Sequence, residues 1–197
     1  DDVKISTPAN NLLKIYEKNF GGWFTTPITE GYALDYTFIP MSQASNNPYK
    51  FEAIITNEGQ YLQEEVGLNV DVYFNGVLSS TENSNNLTLN PLQFGDDPLL
   101  AARDTFVTSS YTPTNTGVYY FDYFAESLDT VTSIFRDSSK VTDNEYGRDT
   151  DDTNTNYRYP VTNQSGSLEI CNLIDIYSDQ NINKIKAFLH EDSQIGS

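Results

Sequence analysis

His190 and Cys171 are the only histidine and cysteine in the chain, so any nucleophilic chemistry would start with them. A thiol or hydroxyl becomes a nucleophile beside a histidine that a carboxylate orients. Cys171 sits inside the apolar run 168–177, as a core thiol does, and His190 closes an apolar run just before Glu191-Asp192. The sequence has no His-Glu-x-x-His, Gly-x-Ser-x-Gly, paired Cys-x-x-Cys or phosphate-cradling glycine loop. The 28 acidic residues leave room for a glycosidase-type carboxylate pair, but such a pair follows no sequence spacing. No catalytic residue is assigned, and the chain reads as a non-enzyme.

Two other groups of residues carry binding chemistry. Asp143, Asp149, Asp151, Asp152, Asn154 and Asn156 supply hard oxygen ligands, and Asp152-x-Asn154-x-Asn156 imitates the opening of a calcium loop. Tyr157 stands where that loop requires glycine, and Asn163 replaces the bidentate glutamate. The preferred reading is therefore a solvated linker in which Asp and Asn favour turns, with no cofactor expected and calcium the ion the stretch would hold if its oxygens converged. Trp23 and Phe24 follow Gly21-Gly22. They would form an aromatic platform for a sugar ring, or else pack into a core or against a neighbouring domain.

Composition narrows the partners. With 38% hydrophobic residues, 14 Tyr and 11 Phe among 197 residues, the chain is too apolar to be disordered. A net charge of −17 repels nucleic-acid phosphates and anionic lipid, so neither is an expected partner. A lone cysteine allows no internal disulfide. No apolar run reaches the roughly 20 residues a membrane-spanning helix needs. Nor is there a signal-peptide pattern, so any such segment is expected to have been removed, and the chain reads as a piece of something longer.

The elements that would position these residues are strands. The segment 111–124 begins with a Pro and Gly turn and continues as Val118-Tyr-Tyr-Phe-Asp-Tyr-Phe124. Tyr119, Phe121, Tyr123 and Ala125 make an unbroken apolar row at a period of two, whereas Asp122 interrupts the opposite row, which therefore faces partial solvent. Gly117-x-Tyr119-x-Phe121 is also how strand F of an immunoglobulin-like sandwich begins, with the tyrosine tethering the turn and the next inward residue filling the core. Further alternation marks strands over 32–39, with Tyr36 and Phe38 in one row, over 49–56, with Phe51, Ala53 and Ile55 inward and Glu52 outward, and over 68–74. Asn75-Gly76 predicts a hairpin with Val77-Leu78 starting the return strand. The stretches 42–48 and 79–91 read as loops, and 131–141 reads as a strand around Ile134 and Phe135. Beyond an acidic linker at 146–157, the runs 168–177 and 182–189 predict two more strands, the second also fitting a helix. The expected architecture is all-β: an immunoglobulin-like β-sandwich over 1–145, followed over 158–197 by the start of a second β-sandwich, or else by a segment that packs on the first.

Asn57-Glu58-Gly59, Val70-Asp-Val-Tyr-Phe-Asn-Gly76 and Tyr111-Thr-Pro with Thr116-Gly-Val-Tyr119 resemble the CARDB-type adhesion modules of bacterial surface proteins. The segments 36–43 and 140–149 look like those flanking such modules in large secreted proteins of the Bacteroidetes, many of which leave the cell by type IX secretion. The resemblance implies an extracellular or cell-surface setting, no catalytic residues, and a role in spacing, adhesion or display. Its partners would be flanking domains of the same polypeptide, and glycans or other surface proteins. An accessory domain of a secreted hydrolase is a further alternative. Asp129-Thr130-Val131 resembles the O-glycan acceptor of such secreted proteins, which would place the sugar on Thr130; the alternative is an ordinary loop-to-strand transition.

Overall fold

The computed structural model describes residues 9–25, 35–93, 96, 102–148 and 174–185. Strands account for 53% and helix for 3% of what is described. The chain is an all-β sandwich, as the alternating rows predict. One sheet runs in the order β1 (Leu13–Asn19), β3 (Tyr49–Asn57), β7 (Arg103–Tyr111), with both pairings antiparallel. The other runs β2 (Phe38–Pro40), β9 (Phe135–Thr142), β8 (Gly117–Glu126), β4 (Gln63–Phe74), β5 (Val77–Asn83), with β6 (Leu87–Leu89) also on β4. In that second sheet only β2 and β9 lie parallel. A single helical turn, α1 (Met41–Ala44), follows β2.

β8 is the centre of the second sheet, and its inward row is the core. Tyr119, Phe121, Tyr123 and Ala125 are all buried. Phe121 meets Tyr49 at 4.8 Å and Phe51 at 5.0 Å between ring centroids, so aromatics from β3 and β8 interlock across the two sheets. Phe20, just past β1, closes on Phe121 at 5.2 Å. Burying a phenyl ring of this kind stabilises by about 1.5–3 kcal/mol, so this aromatic stack accounts for much of the cohesion between the sheets. The Tyr119 hydroxyl donates to the carbonyl of Asn115 at 3.0 Å and accepts that residue's N–H at 3.2 Å, the tether its spacing implies.

The hairpin forms at Asn75-Gly76, both with positive φ (48° and 83°), as its tight turn requires. β5 then continues to Asn83 and β6 follows, so 79–91 is largely strand rather than loop. The polarity of Ser79-Ser80-Thr81-Glu82 reflects an exposed edge, not a turn. Met41–Ala44, expected to begin a loop, makes its helical turn straight after Pro40, whose ring pre-sets the backbone angle.

Strand bounds and burial differ from the plain alternation. Of the strand expected over 32–39 only Phe38–Pro40 forms one, with Tyr36 and Ile39 buried and 32–34 outside the described residues, and the strand expected over 131–141 begins at Phe135. Ile134 and Phe135 are exposed at 63% and 41%, and β9 instead buries Ser139 and Val141. Asp122 is buried despite interrupting the outer row of β8, since an arginine covers it. Of the segment expected to open a second sandwich, 174–185 forms neither strand nor helix, and the remainder lies outside the described residues.

Candidate functional site: an aromatic platform and a polar cleft

β1 ends at Asn19, whose side chain is fully buried. Its Oδ1 accepts the backbone N–H of Gly22 at 2.7 Å and of Trp23 at 3.3 Å, the local turn that asparagine favours. Its Nδ2 donates to Glu52 Oε2 at 3.0 Å. Glu52 lies on β3 and is fully buried beneath the loop, contrary to the outward position its alternation predicts. Its Oε2 also accepts the N–H of Phe24 at 2.7 Å; Oε1 accepts the N–H of Thr25 at 3.1 Å and the Thr25 hydroxyl. A carboxyl that would be expensive to bury alone is satisfied here on both oxygens by the loop it holds.

Gly22 has φ +80°, and a Cβ there would lie 2.8 Å from Lys50 Cδ. Only glycine fits that approach. The loop therefore presents Trp23 in one place. The indole is 48% exposed and stacks on Phe24 with centroids 5.9 Å apart and planes 27° apart. A flat, partly desolvated aromatic surface on a pinned backbone suits stacking against a sugar ring or an apolar protein patch.

An open cleft of about 340 Å³ is lined by Phe20, Asp35, Thr37, Tyr120, Arg136, Asp137, Ser138 and Arg148; Trp23 and Phe24 do not line it. Asp35 accepts the N–H of Phe20 at 2.8 Å. Burial pushes its carboxyl up to about 6, with a smaller push from Asp137, against the pull of the Phe20 and Gly21 amides and Lys18. Arg136 grips Asp122 with two bonds of 2.6 Å and lies over the rings of Tyr73 and Tyr120, at 5.6 and 5.4 Å. Lys18 pairs with Asp137 and sits 5.1 Å over the Tyr123 ring. These fixed donors and acceptors, walled by Phe20 and Tyr120, offer the mixed polar and aromatic surface that a hydroxyl-rich ligand requires.

Of the residues singled out from sequence, the structure brings Trp23 and Phe24 together in one stack. Thr130 is half-buried in a tight turn, where Ser127 N–H donates to its carbonyl at 2.8 Å and its own N–H donates to Ser127 Oγ at 3.2 Å. Asp143 is exposed just past β9, while Asp149, Asp151, Asp152, Asn154 and Asn156, with Cys171 and His190, lie outside the described residues. Among the described residues no group of three His, Cys, Asp or Glu could hold a metal ion, and no helix is long and apolar enough to cross a membrane.

Sequence reasoning passed over Asn19, Glu52 and Asp35. An Asn directly before Phe-Gly-Gly-Trp is a legible turn signal. Glu52 left none, because its burial depends on a loop thirty residues away in sequence closing over it. The chain matches no protein-family model, and no curated protein matches it.

Proposed function

We propose that this chain is a noncatalytic, immunoglobulin-like adhesion module of a large extracellular or cell-surface protein, and that it engages its partner through Trp23 and Phe24. The observation that carries this reading is an exposed tryptophan stacked on a phenylalanine, on a loop held by two fully buried polar side chains. A simple spacer gains nothing from burying a carboxyl group beneath a surface loop; a binding surface gains preorganisation, since a fixed loop has less freedom to lose on contact. The nearby acids are occupied in structure: Glu52 by the loop, Asp122 by Arg136, Asp137 by Lys18, and Asp35 by the Phe20 N–H. That arrangement supports binding rather than proton transfer.

The strand order β1-β3-β7 against β5-β4-β8-β9 supports the immunoglobulin-like assignment, as it parallels strands A-B-E against C′-C-F-G. On its sequence resemblance we take the module to be of the CARDB type found in Bacteroidetes proteins exported by the type IX route; the Asn57 turn quoted for that resemblance is closed by Gly59 N–H on Asn57 Oδ1 at 2.9 Å. In that setting the ligand class is a glycan stacked on the platform, and flanking domains supply the remaining activity. A glycan array tests it. Binding should be present in the native chain and lost in Trp23→Ala with the melting temperature preserved. No binding by the well-folded native chain, or binding that survives the substitution, defeats the platform reading and leaves a spacing and display role.

A further inference from the structure

At the far side of β2 the sandwich carries a second constructed contact. Gln43, on the single turn of α1, is fully buried, and every hydrogen bond its amide makes goes to a segment some 135 residues away in sequence. Its Oε1 accepts the backbone N–H of Tyr177 at 2.7 Å and of Ser178 at 3.0 Å. Its Nε2 donates to Ser178 O at 2.9 Å, Ser178 Oγ at 2.8 Å and Gln180 Oε1 at 3.2 Å. The amide's donors and acceptor are thus all engaged. Beside it the Tyr36 hydroxyl accepts the N–H of Asp175 at 2.7 Å, and the Ser178 hydroxyl donates to Ser42 O at 3.2 Å.

We propose that the β2–α1 corner is a docking surface for a bent chain segment, with residues 174–180 of this same chain as its occupant, fastening that segment to the sandwich. Three of the contacts come from main-chain N–H groups, so the surface reads backbone more than side-chain identity, and the bend at Tyr177-Ser178 turns two successive N–H groups onto the one Gln43 oxygen. The anchorage is local: residues 181–185, beyond the clamp, are all exposed. Gln43 is buried with its amide satisfied by this segment, so replacing one partner while the segment stays in place leaves a buried polar group unpaired. Whatever follows the module then departs from a set point on β2 rather than from a free tether.

Hydrogen exchange on the full chain, read by mass spectrometry, tests this. The amides of Tyr177 and Ser178 should exchange about tenfold or more slowly than an unstructured chain, as expected for main-chain groups held in a local closed state. Gln43→Met and, separately, Ser178→Pro should each abolish that protection while β8 stays protected. If Gln43→Met also exposes β8, the sandwich itself has failed and Ser178→Pro alone decides. Unprotected exchange at 174–180 in the native chain overturns the proposal, as does protection that survives either substitution in an intact sandwich. Protection that vanishes on dilution, together with a dimer in light scattering, would seat the segment of a second copy and overturn the assignment within one chain.

Discussion

Glu52 Oε2 and the backbone N–H of Phe24 are joined by a 2.7 Å hydrogen bond that ties a surface loop to a fully buried strand position. Glu52→Gln would put an NH₂ group in place of one of the two accepting oxygens, setting a donor against loop donors. The expected loss is about 1–3 kcal/mol, the cost of leaving a buried group unsatisfied. Trp23 is the only tryptophan, so its fluorescence reports on the loop directly. The variant should melt lower in urea and show reduced tryptophan anisotropy before global unfolding. Native anisotropy with unchanged stability would mean that the buried carboxyl does not hold the platform.

The β8 core makes a graded prediction. Phe121→Ala removes a ring that touches Phe20, Tyr49 and Phe51, and should lower unfolding free energy by about 3–5 kcal/mol. Tyr119→Phe keeps the ring and removes only the tether to Asn115, and should cost about 1 kcal/mol. Chemical denaturation of both variants gives the ratio. Equal losses would contradict the division of labour between packing and tether.

Asp35 makes stability depend on pH in a definite direction. Its carboxyl titrates at about 6 in the fold against an ordinary 3.8, so the folded state holds the proton more tightly than the unfolded chain does. Its contribution is fully present below pH about 3.8 and is lost as pH rises through about 6. The difference is on the order of 2–3 kcal/mol, at 1.36 kcal/mol per pH unit. Asp35→Asn removes the titration and keeps an acceptor for Phe20 N–H. Relative to the native chain, the variant should therefore gain stability between pH 4 and pH 7, approaching that amount. A difference that stays flat over this range would place the proton elsewhere.

Tyr146 stacks edge-on against Tyr36 at 5.8 Å, and its hydroxyl oxygen is buried with no hydrogen-bond partner among the described residues. Burial and the neighbouring Tyr36 both push that hydroxyl's titration upward. Tyr146→Phe keeps the ring contact and discards the unpaired group, so it should be stabilising by up to about 1 kcal/mol. A clear loss of stability in thermal melts would reveal a partner for the hydroxyl.

Period-two alternation by itself determined the all-β class, the inward row from Tyr119 to Ala125 and the row Phe51, Ala53 and Ile55, because a strand sends successive side chains to opposite faces. Asn75-Gly76 determined its hairpin, since two consecutive residues with positive φ suit few other dipeptides. The Gly117-x-Tyr119 spacing likewise determined the tether. Burial that comes from other parts of the chain was beyond such local patterns. Glu52, Asp122 and Gln43 each look like solvent-facing polar residues within their own segments. Each is buried because a distant group satisfies it: the 19–25 loop, Arg136 and the segment 174–180. Burying a polar atom is tolerable only with a partner, and which partners meet is decided when the two sheets close and their loops fold over the edges.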